Sequence, residues 1–167
     1  MDPQQKKNAL RMIPYGLYVL TGATQDGRIA AATVNWVTQT SFEPPLVVVG
    51  VKADSGAHSV IGDAGAFALN VLGRSQGAIA YTFFKPAKRE GDMLSGQPIR
   101  AGTTGAPLID ACPAYLECRL VDRLENGDHS IFVGEVVDAG LSEELAGRPD
   151  EHTLTLRDLG EKVFYGG

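Results

Sequence analysis

Two cysteines in 167 residues, Cys112 and Cys118, are too few for a disulfide framework or a zinc site of their own. Their even spacing is expected to place them on one face of one strand, with Cα atoms beyond bridging distance, so both are read as plain strand residues. Positive charge is also scarce. Fifteen Lys and Arg stand against 20 Asp and Glu, for a net charge of -5. That argues against a nucleic-acid partner, because a phosphate-tracking surface needs an excess of cations. An acidic chain can still hold an anionic cofactor, since a few local donors decide that. Long apolar runs are absent. The longest, such as 45–51, are strand-sized, so no membrane span is expected. Met1-Asp2-Pro3-Gln4-Gln5-Lys6-Lys7 is polar, and Pro14 interrupts the short apolar stretch after it. This is not a signal-peptide pattern, and the cytoplasm is the expected location.

Familiar catalytic signatures are missing as well. No phosphate loop of the Gly-x-x-x-x-Gly-Lys-Ser type occurs, and no Gly-x-Gly-x-x-Gly lies between a strand and a helix. There is no Gly-x-Ser-x-Gly elbow. His58, His129 and His152 share no ligand spacing, so no metal site is expected.

What is present is an ordinary globular composition, with 44% hydrophobic and 21% charged residues, of a size that suits one domain over 1–167. Twenty scattered glycines punctuate short segments, the pattern of strands joined by tight turns. Strands are predicted over 15–24, 28–40, 46–52, 66–72, 114–124 and 129–139, with turns at Asp26-Gly27 and Asn126-Gly127-Asp128. Ser55 is expected to cap a short helix over 56–61, and Ser75 a second over 76–84. Residues 85–105 read as a long irregular loop, and 154–160 as a short helix or turn. Strands recurring every ten to twenty residues point to a mainly β antiparallel barrel rather than a βαβ sheet. The strand over 28–40 has no uniformly apolar side, so it is expected to border a site or an interface.

Two stretches carry most of the polar chemistry. Thr33-Val34-Asn35-Trp36-Val37-Thr38-Gln39-Thr40-Ser41 puts an amide, an indole and several hydroxyls along one strand end. Its plain alternative is a solvated hairpin edge. Lys52-Ala53-Asp54-Ser55-Gly56-Ala57-His58 puts a cation, a hydroxyl, helix-start amides and an imidazole within seven residues. That is a workable phosphate site; its plain alternative, the weightier one when the stretch is taken alone, is a simple N-cap with an exposed Lys.

The series IPYGLYVLTG, AATVNWVTQTSFEPPLVVVGVK, HSVI and FALNVL, followed by YTFFK, APLIDACPAYLECRL and NGDHSIFVGEV, resembles the flavin-reductase-like, FMN-binding split-barrel family. The likeness runs from about residue 9 to FYGG at the end. It is similar both to stand-alone flavin reductases and to the flavin-reductase module of diiron flavoproteins. The resemblance implies an antiparallel split β-barrel with two or three short helices. Thr33, Asn35, Trp36, Val37, Thr38 and Gln39 would line the isoalloxazine and ribityl chain. Lys52, Ser55, His58 and Ser59 would hold the phosphate, and Phe84 and Lys85 would reach the cofactor from the other side. His129, in the Gly127-Asp128-His129 turn, would orient the nicotinamide. The basic and aromatic dinucleotide-contacting segment of some relatives is matched only loosely, by Leu156-Arg157-Asp158 and Phe164-Tyr165.

The implied function is an NAD(P)H:flavin oxidoreductase with FMN as cofactor and FAD as a further candidate substrate. It implies a homodimer, with a flavin-dependent monooxygenase or another electron acceptor as partner. Hydride passes from dinucleotide to flavin, and no catalytic residue is required beyond the flavin itself. The alternative is an FMN-bearing electron-carrier module that takes electrons from a protein and has no dinucleotide site. A flavin-binding protein without redox turnover is a third, weaker reading.

Overall fold

The computed structural model describes residues 1–142 and 144–167. Its centre is a seven-stranded antiparallel sheet built from β1 (Tyr18–Ala23), β2 (Ile29–Val34), β3 (Val37–Ser41), β4 (Leu46–Lys52), β5 (Ala66–Val71), β10 (Ala114–Leu124) and β11 (His129–Leu141). The strands lie in the order β2-β1-β5-β10-β11-β4-β3. The two edge strands are therefore consecutive in the chain, and the sheet curls until they meet at the Asn35-Trp36 corner. Register shifts at Glu117/Cys118 and Leu120/Asp122 help it curl, because each bulge bends its strand. Gly134 lies so close to Phe67 that a Cβ there would sit 2.5 Å from its ring. The fold is the mainly β split barrel that the resemblance implies.

Alternation decides which side chains go inside. Val47, Val49 and Val51 of β4 pack with Leu20, Phe67, Leu69, Cys118 and Phe132 in the barrel interior. Helix α2 (Gly56–Ala64) closes one end with Ala57 and Ile61. Ser55 caps it by accepting the His58 amide, and Gly65, at φ 66°, ends it in the left-handed region. A second cluster lies on the other side of the sheet and joins Leu17, Val19 and Leu72 to Phe83, Leu94, Ile99 and Ile109. It is roofed by α3 (Gly77–Thr82) and by a small sheet of β6 (Arg89–Glu90), β7 (Met93–Leu94), β8 (Gln97–Ala101) and β9 (Pro107–Ile109). Buried Asn70 pins that roof. It accepts from the Ile109 amide at 2.8 Å and donates to Val19 O at 3.1 Å.

Several expectations need correction. Residues 28–40 are two strands, because the chain turns a corner at Asn35-Trp36 and Trp36 O accepts the Gly50 amide at 2.8 Å. The 85–105 segment carries three short strands rather than being irregular throughout. Gln76, not Ser75, precedes α3; its side chain accepts the Gly73 amide instead of capping the helix. Cys112 lies in the turn before β10, so the two cysteines do not share a strand; they belong to different core clusters. Burial pushes both thiols up to about 12, which leaves them unreactive. An unforeseen helix, α1 (Pro3–Leu10), starts at Asp2, whose carboxylate accepts the Gln4 and Gln5 amides. The 154–160 reading holds as a 3₁₀ turn over Leu156–Leu159. No helix among the described residues is long and apolar enough to cross a membrane.

Candidate functional site

Where the barrel's edges meet, the sheet leaves a cavity of about 430 Å³. Its walls are apolar: Leu17, Val34, Val51, Phe83, Phe84 and Leu156 all line it. Polar groups converge at its rim, namely Asn35 from the corner, Lys52 from β4, Ser55 from the α2 cap, His129 from β11 and Tyr165 from the last segment. Lys52 and His129 face each other across the β4–β11 pair, a register that brings residues 77 positions apart to one place.

Each rim group is already oriented. Thr33 Oγ1 donates to Ala80 O at 2.7 Å, and its amide donates to Phe83 O, so α3 is stitched to the edge strand. Asn35 is nearly fully buried, and its Nδ2 donates to Tyr165 O at 3.4 Å. The Lys52 ammonium lies 3.0 Å from Asp54 and is exposed; the hydrogen bond to that carboxylate raises its pKa. Ser55 Oγ accepts the His58 amide and donates to Lys52 O at 2.7 Å. His129 has both nitrogens engaged, Nδ1 with Asp128 Oδ1 at 2.9 Å and Nε2 with the Tyr165 hydroxyl at 2.7 Å. The His129 contact is the main cause that lowers the Asp128 pKa. Burial is the main cause that raises the Tyr165 pKa. Trp36 backs this wall rather than lining it. Its ring packs on Gly50 and lies 4.5 Å from His129 and 5.5 Å from Tyr165, centroid to centroid. Its Nε1 is the one buried side-chain polar atom among the described residues that has no hydrogen-bond partner.

An apolar slot of this size with a one-sided polar rim suits a flat ring system bearing a polar edge. The flavin reductase like domain family matches residues 10–158. The chain belongs to that family. Among its curated relatives is the reductase component of a 4-nitrophenol 4-monooxygenase/4-nitrocatechol 2-monooxygenase from Rhodococcus opacus. It is 36% identical over 83% of this chain and 72% of its own length. An FMN reductase (NADH) of Agrobacterium fabrum is 33% identical over 80% of the chain and 74% of its own. A diflavin flavoprotein of Synechocystis is 34% identical over 83% of the chain, which spans only 23% of that protein. The solved NADH:FAD oxidoreductase of Streptomyces globisporus superposes with a TM-score of 0.71 at 32% identity, over 84% of this chain and 80% of that one.

Within this flavin reductase like domain, Thr33, Asn35, Lys52, Ser55, Phe84 and His129 come together around the one cavity. Trp36 stands behind its wall. Val37, Thr38 and Gln39 lie past the corner on β3; Thr38 and Gln39 are exposed, and none of the three lines it. His58 turns away, with Nε2 2.8 Å from Ser130 Oγ and its ring edge-on to Phe132. Ser59 is exposed on α2. Lys85 lines a separate open cleft between α3 and the small sheet. Tyr165 is the functional candidate that the residue types alone did not mark. The Phe164-Tyr165 pair was its signal, and only the fold shows that it reaches His129. Among the described residues no group of three or more His, Cys, Asp or Glu is placed to hold a metal ion.

Proposed function

We propose that this chain is an NAD(P)H:flavin oxidoreductase that binds FMN in the seam cavity, as a single domain over 1–167. The observation that carries the reading is the cavity itself, an apolar slot whose polar groups converge on one rim beside a buried, unpaired indole N–H. That donor set suits a flavin: apolar walls for the ring faces, Asn35 for a ring edge, and Lys52 with Ser55 at the α2 start for a phosphate. Phe84 closes the opposite side. Bound FMN would supply the hydride-accepting centre that no side chain of this protein offers. The protein's part is to hold two rings together, exclude water and orient the electron donor. The NADH-linked names of its relatives support a nicotinamide donor, and the Streptomyces enzyme supports FAD as a further substrate.

The Rhodococcus relative's name supports a flavin-dependent monooxygenase as the consumer of reduced flavin. A homodimer in the cytoplasm completes the reading. Val121, Leu124, Ile131 and Val137 of β10 and β11 are two-fifths or more exposed, which supports a second copy on that hairpin. Light scattering of the flavin-loaded protein at micromolar concentration is expected to give twice the chain mass. The likeness to a diflavin flavoprotein favours the second reading, an electron-carrier module that lacks a dinucleotide site.

One experiment separates the two. Purified protein is reconstituted with FMN and desalted, and NADH and NADPH oxidation are followed with and without added FMN. A retained flavin band with dinucleotide oxidation is expected. A retained band without oxidation supports the carrier, and a colourless protein with no FMN affinity overturns both.

A further inference from the structure

The chain is fastened unevenly around the seam cavity. As far as Leu156 it is held by backbone hydrogen bonds: Leu154 N donates to Leu72 O at 2.7 Å, and Leu156 N to Tyr15 O at 3.0 Å. Gly160 then takes φ 135°, a backbone conformation open to glycine and little else. Beyond it, among the described residues, no backbone–backbone hydrogen bond joins 161–167 to the rest of the protein; Val163 N reaches only Gly160 O. Side chains alone hold this segment. Asn35 Nδ2 donates to Tyr165 O and Arg11 Nε to Gly166 O, both at 3.4 Å, and the Tyr165 hydroxyl lies 2.7 Å from His129 Nε2. The Arg11 guanidinium also covers the Phe164 ring at 4.2 Å. Phe164 and Tyr165 remain about half exposed. Val163, Phe164 and Tyr165 line the seam cavity, and the same three line a second cavity of about 410 Å³ shared with Arg11, Met12 and Ile13. A segment with few buried contacts, no backbone tie and open space beside it belongs to the readily opened part of a fold.

We propose that 161–167 is a strap, hinged at Gly160 and latched by Arg11, that swings away from the seam to admit and release the flavin. The proposal rests on the FMN reading of the seam cavity. Arg11 does not line that cavity, so its part is to hold the strap down rather than to touch the ligand. It caps the end of α1, a helix that buries no residue of its own, and the latch gives that helix a task. Such a latch sets a residence time. Weakening it raises the open fraction of the empty and of the loaded protein alike, so entry and exit quicken together. A fixed wall behaves differently: damage to it lets the ligand leave sooner without letting it in faster. The strap thereby tunes whether a flavin stays through many turnovers or passes to an acceptor after each one.

The test follows flavin fluorescence by stopped flow, so that no turnover is needed. Entry is read on mixing protein with FMN, and exit on mixing FMN-loaded protein with an excess of apoflavodoxin as a trap. Arg11→Gln removes the guanidinium and keeps a residue that suits a helix end. Both rates are expected to rise about fivefold, with the dissociation constant held within about twofold. Arg11→Lys keeps a cation for the Phe164 ring but not the planar fork, and is expected to fall between. A rise in the exit rate alone, or no rise in either, would make the segment a fixed wall; it would overturn the strap and leave the FMN reading standing. Unaltered protein that takes up no FMN would overturn both.

Discussion

Glu117 and Trp36 each bury polar atoms in the same barrel, yet their surroundings treat those atoms in opposite ways. Glu117, on β10, has no exposed surface, and both of its oxygens are filled. Thr103 N donates to Oε2 at 2.9 Å, while Thr104 N and Thr104 Oγ1 donate to Oε1 at 2.8 and 2.7 Å. The loop comes so close that any side chain at Gly102 would overlap the carboxylate. At the seam, the Trp36 Nε1 hydrogen is buried under Gly166 with nothing to accept it. Burying a polar group is tolerable when its own chain supplies the partner and costly when it does not. The Glu117 pole is finished by folding. The Trp36 pole is left unpaired, behind the wall of the cavity that a ligand would fill.

The largest expected effect lies at the finished pole. Glu117→Ala strands three donors at once and is expected to lower the unfolding free energy by about 3 kcal/mol, read as a shift of the urea midpoint. A midpoint that does not move would mean that water already serves those groups. Trp36→Phe is expected to do the reverse: stability stays within about 1 kcal/mol of the unaltered protein, because no bond is lost, while the support that the indole gives His129 and Tyr165 from behind the cavity wall is loosened and FMN affinity falls roughly five- to tenfold. Unchanged FMN binding would show that the wall keeps its shape without the indole. Lys52→Ala comes next. Its ammonium is exposed and shared with Asp54, so FMN is expected to weaken only about three- to fivefold, and riboflavin, which lacks the phosphate, not at all. Equal losses for both ligands would place the phosphate elsewhere.

The smallest effect concerns Asp128. Its folded pKa is lowered, so its contribution to stability is complete above the unfolded carboxylate value of about 3.9 and is lost as pH falls through the lower folded value. Asp128→Asn is expected to flatten that acid limb slightly in urea midpoints taken from pH 5 to pH 2. An identical limb would show that the exposed pair with His129 is screened away.

The residue types made some of this visible and hid the rest for physical reasons. The limits of β4 and β10 could be read directly, because Pro45 and Asp54 bracket an unbroken apolar run and because Pro113 and Asn126 bracket β10. The corner after β2 could not, since Thr-Val-Asn-Trp-Val-Thr contains no glycine or proline. The bend is imposed from across the sheet, where Gly50 hydrogen-bonds Trp36 and leaves room for its ring. Helix α1 has no apolar face to reveal it; only Asp2-Pro3 marked its start. The short strands of 85–105 had turn signals at Gly91-Asp92 and Ser95-Gly96, but two-residue strands carry too little alternation to be seen. In the site, Lys52 and Ser55 could be picked out together because they are neighbours in the chain. Tyr165 could not be joined to His129, because that contact spans 36 residues and a chain reversal.

The seam has a mechanical meaning. Its edge strands are the first and last of the sheet, tied to one another by the two-residue corner and by what lies in the gap between them. A molecule seated there touches β2 and β4 together and serves as the hoop that the barrel does not make for itself. Ligand present at a hundred times its dissociation constant adds about 2.7 kcal/mol to the folded state by mass action. The protein's lifetime in a cell would then track the supply of its cofactor, and starvation for flavin would remove the protein along with its activity.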